Sequence, residues 1–205
     1  MKNNKFILKS NFPIILASKS EVRSYLIKKT GINVKQINSN CDEEKIKKKF
    51  KGKNFKLLSL MLAKEKAMLI SEKFKNKYVI GADQICVINN VSLKKPKIKQ
   101  KAMKQLEQLS GKTHKQICSV VLCYNKKIIW KYTDIADLKM KKLTKKLIKI
   151  YVDLDLPLNS CGSYKFESKG KYLFSSVKGN IDTILGMPIL PLLKELHEKK
   201  IISYV

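Results

Sequence analysis

The sequence predicts an α/β fold: a mixed, largely antiparallel sheet of long strands with flanking helices. Three observations carry this. Strand-like and helix-like segments alternate along most of the chain. Two long strand-like runs, residues 114–124 and 127–140, are joined at Asn125, the tight connection of an antiparallel hairpin. The hydrophobic fraction, 44% of 205 residues, is that of an ordinary globular chain with room for a sizeable core. No Gly/Ser linker, internal repeat or low-complexity tail divides the sequence, so residues 1–205 are read as one domain.

The elements follow in order. Residues 13–18 read as a buried strand. Residues 20–30 read as a helix, with Ser20 as N-cap and Gly31 just past its end. Residues 33–37 form a short strand, and lysine-rich 45–56 a mobile loop. A long helix spans 55–74. Residues 78–88 form a strand turned by Asn89-Asn90. Alternation puts Asp83 on one face of it with Val79, Ile85 and Val87, and Gln84 on the other with Ile80, Cys86 and Ile88. Both faces are apolar, so this strand is central. Residues 98–109 form a helix stopped by Ser110-Gly111. After the long hairpin come a helix over 143–154 before Pro157, a strand over 171–177, and a helix over 188–198 with Pro188 at its first turn.

Composition excludes several classes. No run of about 18 apolar residues exists to cross a membrane. Residues 1–16 carry lysines and only a short apolar stretch, without a signal-peptide pattern, so a cytoplasmic protein is expected. Five cysteines without a CxxC pair, beside only His114 and His197, read as reduced thiols rather than a zinc site. The net charge of +28 invites the alternative of a basic, non-enzymatic nucleic-acid-binding module. Against it, the charge is spread along the whole chain and is almost entirely lysine. A nucleic-acid reader mixes arginine and aromatics into its basic surface. Arg23 is the one arginine among 44 basic residues. Its survival points to planar, two-pronged hydrogen bonding that lysine cannot reproduce.

Candidate chemistry sits at several places. At Ser18 to Arg23 a strand runs into a helix N-terminus, whose free N–H groups, dipole and serine hydroxyls form an anion site within reach of Arg23. The plain alternative is an ordinary N-cap. Asp83 on a buried central strand costs several kcal/mol unless it meets a cation or donors. A metal ion would meet that need and supply chemistry; pairing with a lysine is the alternative. Cys41-Asp42-Glu43-Glu44 could hold Mg²⁺ or Mn²⁺ through oxygen, but alone reads as a solvated acidic turn. Lys64, Glu65 and Lys66 have equally apolar helical neighbours, and periodicity does not choose among them. Lys94-Lys95-Pro96 is a basic turn after a hairpin, and Gly162 to Glu167 a glycine turn leading to an acid. His114 reads as a structural hydrogen-bonding group rather than a base.

In order, these segments resemble the Maf family of nucleotide pyrophosphatases. LASKSEVR (16–23) resembles its LASxSxRR, CDEE (41–44) its DE pair, LAKEKA (62–67) its LAxxKA, GADQ (81–84) its GADT/GSDQ strand and KKP (94–96) its GKP turn. LSGKTH, CGSYKFE and ILGMPI complete the series, and the likeness runs from about Ile14 to Leu196. The resemblance implies two α/β lobes around a long cleft, a possible homodimer, and cleavage of nucleoside triphosphates to monophosphate and pyrophosphate with divalent Mg²⁺ or Mn²⁺. It places phosphate contacts on Ser18, Arg23, Lys66 and Lys95, and metal- and water-handling acids on Glu43 and Asp83, with Asp83 as proton acceptor. From the composition, no membrane and no specific nucleic-acid partner are expected. Glu21, Val22, Lys94 and Cys118 depart from the family pattern. Gln84 and Glu167 resemble the branch acting on 7-methyl-GTP, where the dTTP- and UTP-preferring branch carries Thr and Gln. Val22 replaces a bulkier residue near the base.

Overall fold

In the computed structural model of the chain, residues 7–205 are described. The N-terminal stretch scanned for a signal peptide begins in residues 1–6, which lie outside the described residues. The chain opens with β1 (Leu8–Ser10), β2 (Ile14–Leu16), α1 (Glu21–Lys28), β3 (Val34–Gln36) and α2 (Glu43–Lys49). Next come α3 (Phe55–Lys73), β4 (Tyr78–Ile88), β5 (Val91–Leu93) and α4 (Lys99–Leu109). The long hairpin is β6 (Thr113–Tyr124) and β7 (Lys127–Met140). The chain then forms α5 (Lys145–Asp155), β8 (Phe174–Lys178), α6 (Ile181–Ile184), α7 (Ile189–Glu198) and β9 (Ile202–Tyr204).

Among the described residues the main sheet runs β3-β2-β4-β6-β7-β8, with β5 added beside β4. β3, β2 and β4 are parallel and the remaining pairings antiparallel, so the sheet is mixed and mostly antiparallel, as expected. β1 and β9 form a separate antiparallel pair.

Among the described residues there are four buried apolar clusters: two pack α3 on the Asp83 face of β4, and two lie at opposite ends of its other face. Of these last two, one gathers Ile80 and Ala82 of β4 and Val120 and Leu122 of β6 with Leu16, Ile27, Leu192 and Leu196. The other gathers Cys86 and Ile88 of β4 and Ala136 and Leu138 of β7 with Leu106, Ile148 and Val152 of α4 and α5. Asp83 and Gln84 lie on β4 between the residues that enter these two end clusters.

Three expectations are corrected. Residues 45–56 are not simply a loop, because α2 covers Glu43–Lys49. Asp42 caps it by accepting from the Lys45 N–H at 3.0 Å, Glu43 and Glu44 sit in its first turn, and three lysines end it, as the helix dipole favours. None of its residues is buried, so no apolar periodicity announced it. The strand expected over 171–177 starts only at Phe174, where β7 offers ladder partners; Lys169–Leu173 form a 3₁₀ turn instead. Pro188 sits at the α7 N-cap, one position before the first turn.

Candidate active site

The site forms where the sheet edge is open. β2 pairs with Tyr78 to Ile80 of β4, and β5 with Cys86 to Ile88, on the edge away from β6. Gly81 to Ile85 therefore have no strand on that side, and a cleft of about 370 Å³ opens there. Side chains satisfy the exposed backbone: the Ala82 carbonyl accepts from Arg23 Nη1 at 3.0 Å and the Gln84 carbonyl from Cys161 Sγ at 3.6 Å. The Asp83 carbonyl, on the β6 side, accepts from Ser59 Oγ of α3 at 3.1 Å.

α3 crosses one face of β4 in direct backbone contact. A Cβ at Gly81 would lie 2.3 Å from the Ala63 carbonyl oxygen and 2.7 Å from the Ala67 nitrogen, so only glycine permits this approach. The close crossing presses Lys66 of α3 onto Asp83 of β4. Lys66 Nζ lies 2.5 Å from Asp83 Oδ1 and 2.7 Å from Glu43 Oε1 of α2. Lys66 and Asp83 are buried; Glu43 is half-buried and also takes Lys47 Nζ at 2.9 Å. One ammonium thus bridges two carboxylates from separate elements. Burial alone would raise the Glu43 pKa, but the charge and hydrogen bond of Lys66, helped by Lys47, outweigh it and bring it down to about 2. Burial likewise disfavours the charged form of Lys66 and the Arg23 charge opposes it, yet Asp83 and Glu43 hold its pKa above the usual value.

Ser18 and Arg23 close one end. Ser18 Oγ accepts from the Ser20 N–H at 3.1 Å, and Ser20 caps α1 through the Arg23 N–H. Arg23 Nε donates to the Gly186 carbonyl at 2.7 Å. The planar fork that the lone arginine promised is thus partly spent on two protein carbonyls, Ala82 and Gly186, tying β4 to the turn after α6. Lys95 borders the cleft beyond β5; desolvation there lowers its pKa, aided by Arg23 and Lys66 and opposed by Cys161 and Glu43.

Val22, Gln84 and Glu167 all line the same cleft. Gln84 Nε2 donates to the Thr183 and Ile184 carbonyls at 3.0 and 2.7 Å, so its amide pins α6 against β4. α6 is held from behind as well, by Thr183 Oγ1 donating to Asp134 at 2.6 Å. His114 is buried and 2.8 Å from the Tyr164 hydroxyl; burial brings its pKa down to about 4, consistent with a structural role.

Sequence reasoning missed Gly81, whose signal was a glycine inside a buried strand. It also missed Tyr164 and Gln116, two buried polar side chains on the cleft wall. The three thiols nearest the site are poor nucleophiles: burial pushes Cys41 up to about 11 and Cys118 to about 12, and raises Cys161 too.

Among the described residues no cluster of three or more His, Cys, Asp or Glu side chains converges as a metal cage. Glu43 and Asp83 do converge, and what they share is a cation, the Lys66 ammonium. Magnesium is commonly held by one or two carboxylates completed by waters and substrate phosphates, and this pair fits that donor set.

A family model described as Maf-like protein matches residues 13–199. The nucleoside triphosphate pyrophosphatase of Legionella pneumophila (strain Corby) is 40% identical over 191 residues, 93% of this chain and 96% of that protein. The 7-methyl-GTP pyrophosphatase of Brucella abortus biovar 1 (strain 9-941) is 36% identical over 194 residues, 93% of this chain and 98% of that protein. Among solved structures, the Staphylococcus aureus Ham1 protein is similar at TM-score 0.44 and 15% identity, over 92% of this chain and 99% of that one. This likeness is too distant to add to the fold described above. The chain belongs to the Maf family.

Proposed function

We propose that this Maf-family chain is a hydrolase that cuts nucleoside triphosphates between the α- and β-phosphates, releasing a monophosphate and pyrophosphate. The observation that carries the reading is the Glu43–Lys66–Asp83 bridge at the open edge of β4, in a cleft bordered by Arg23 and Lys95. Anionic phosphates meet three fixed cations, the Ser18 hydroxyl and the N-terminus of α1, which stabilise the charge that builds on the leaving pyrophosphate. Water attacks the α-phosphorus, and Asp83, held in place by Lys66 and by the backbone bond to Ser59, orients it and accepts its proton. Glu43 and Asp83 are the residues that would hold Mg²⁺ or Mn²⁺. When bound, the ion supplies charge neutralisation along the phosphate chain.

For the substrate we favour 7-methyl-GTP. Its guanine carries a positive ring charge, and Glu167 on the cleft wall supplies a carboxylate that can meet that charge and accept the N1–H and amine. Gln84 and Val22 shape the same wall. A dTTP- or UTP-preferring enzyme is the second reading, favoured by the small Val22, which offers a purine little stacking surface. The test incubates the purified protein with 7-methyl-GTP, GTP, dTTP and UTP and either metal, and assays pyrophosphate and monophosphate. Equimolar release of the two supports the reaction. Orthophosphate as the main product refutes it, and faster turnover of dTTP or UTP refutes only the substrate.

A further inference from the structure

We propose that Gln116 reads the nucleobase edge, its side-chain carbonyl accepting an amino or imino N–H of the base; this rests on the nucleotide-hydrolase reading above. Gln116 lies on β6, is 2% exposed, and borders the cleft. It pairs with Cys86 and so points to the face of β4 that carries Gln84. Asp83 pairs with Ser119, three residues further along β6, so Gln116 lies about 10 Å along the strand from Asp83 and on the other face of the sheet, and the cleft at the open edge of β4 reaches both. A nucleotide passing over that edge would have its phosphates at the bridge and its base on the Gln116 face.

The amide is bonded at one end only. Its Nε2 donates to the Tyr164 hydroxyl at 2.7 Å, and that hydroxyl lies 2.8 Å from His114 Nε2. In the His114 tautomer with Nε2 unprotonated, the Tyr164 O–H donates to the imidazole while its oxygen receives the amide. The Gln116 carbonyl oxygen is buried and has no hydrogen-bond partner. A buried orphan acceptor is costly, and the fold does not need it: an apolar side chain on this strand would leave the Tyr164–His114 bond intact. Turned toward the cleft that Gln116 borders, the carbonyl oxygen would accept a base N–H. Tyr164, Phe166 and Glu167 border the same part of the cleft, the first two with aromatic surface and the last with a carboxylate.

The test measures binding of α,β-methylene triphosphates, which resist the cleavage, by calorimetry with Mg²⁺ present. Wild type should bind the guanosine analogue about tenfold more tightly than the purine riboside analogue, whose base carries no N–H. Gln116→Leu should bring the two within about twofold of each other and leave the affinity for inorganic tripolyphosphate unchanged. Its melting temperature should not fall, because the orphan acceptor is gone; Gln116→Met repeats the test should the branched side chain fail to pack. Equal binding of the two analogues by wild type overturns the proposal and leaves the hydrolase reading intact. So does a preference that survives in the variants, or a parallel loss of tripolyphosphate affinity, which would make Gln116 part of the scaffold. Absence of any binding of nucleotides or tripolyphosphate to wild type overturns both readings.

Discussion

Replacing Glu43 with Gln removes one of the two carboxylates on Lys66 while keeping size and one acceptor. The folded protein holds the Glu43 carboxyl at about 2 against an ordinary 4.5. A gap of about 2.5 units at ~1.36 kcal/mol per unit sets an upper figure of about 3 kcal/mol. Nearly a third of the side chain, 30%, is exposed to water, and Gln can still accept from Lys66, so about half is expected, roughly 1.5 kcal/mol. For a chain of this length that lowers the melting temperature by about 3–6 °C at pH 7. A folded pKa below the unfolded one gives stability that is present above 4.5 and lost as pH falls toward 2. The wild-type advantage should therefore be constant from pH 8 to 6 and shrink by about half or more by pH 3.5. Urea unfolding of both proteins across pH 8 to 3.5 in metal-free buffer measures it. A difference that does not change with pH, or a variant as stable as wild type at pH 7, would refute the claim that the Lys66 bridge holds Glu43 ionised.

Asp83→Asn should cut kcat by at least about a thousandfold with far-UV circular dichroism unchanged, because Asn can neither accept the water's proton nor share the Lys66 charge; near-normal kcat removes Asp83 from the mechanism. Arg23→Lys loses the pair of bonds to the Ala82 and Gly186 carbonyls, so it should destabilise by about 1–3 kcal/mol in urea unfolding as well as lower kcat/KM. Unchanged stability would place its whole role on the substrate. Gly186→Ala puts a Cβ 3.3 Å from Arg23 Nε and Gln84 Oε1 on a backbone at φ +93°, and should lower both stability and kcat/KM. Activity and stability equal to wild type would show that this turn does not position the cleft wall.

The sequence by itself determined the long elements and the list of charged groups. β4, β6 and β7 were legible because a run of alternating or continuous apolar residues must be a buried strand wherever it lies. α3 was legible from its length, and Ser20 from capping chemistry, both local physics. Asp83 was conspicuous because a carboxylate between apolar neighbours needs a partner whatever the fold. The sequence did not reveal α2, whose short, unburied segment carries no apolar period, nor which partner Asp83 takes; β5 showed only as the return of the hairpin turned at Asn89-Asn90. Lys64, Glu65 and Lys66 looked alike along the helix, and resemblance alone chose among them. Their difference arises when α3 seats on Gly81, turning Lys66 inward while Lys64 and Glu65 stay exposed. Arg23 likewise showed in the sequence only that geometry mattered; the carbonyls it grips come from segments 59 and 163 residues away. Partnerships across such separations are fixed by backbone approach and by the gap between β2 and β5, quantities that exist only once the chain has folded.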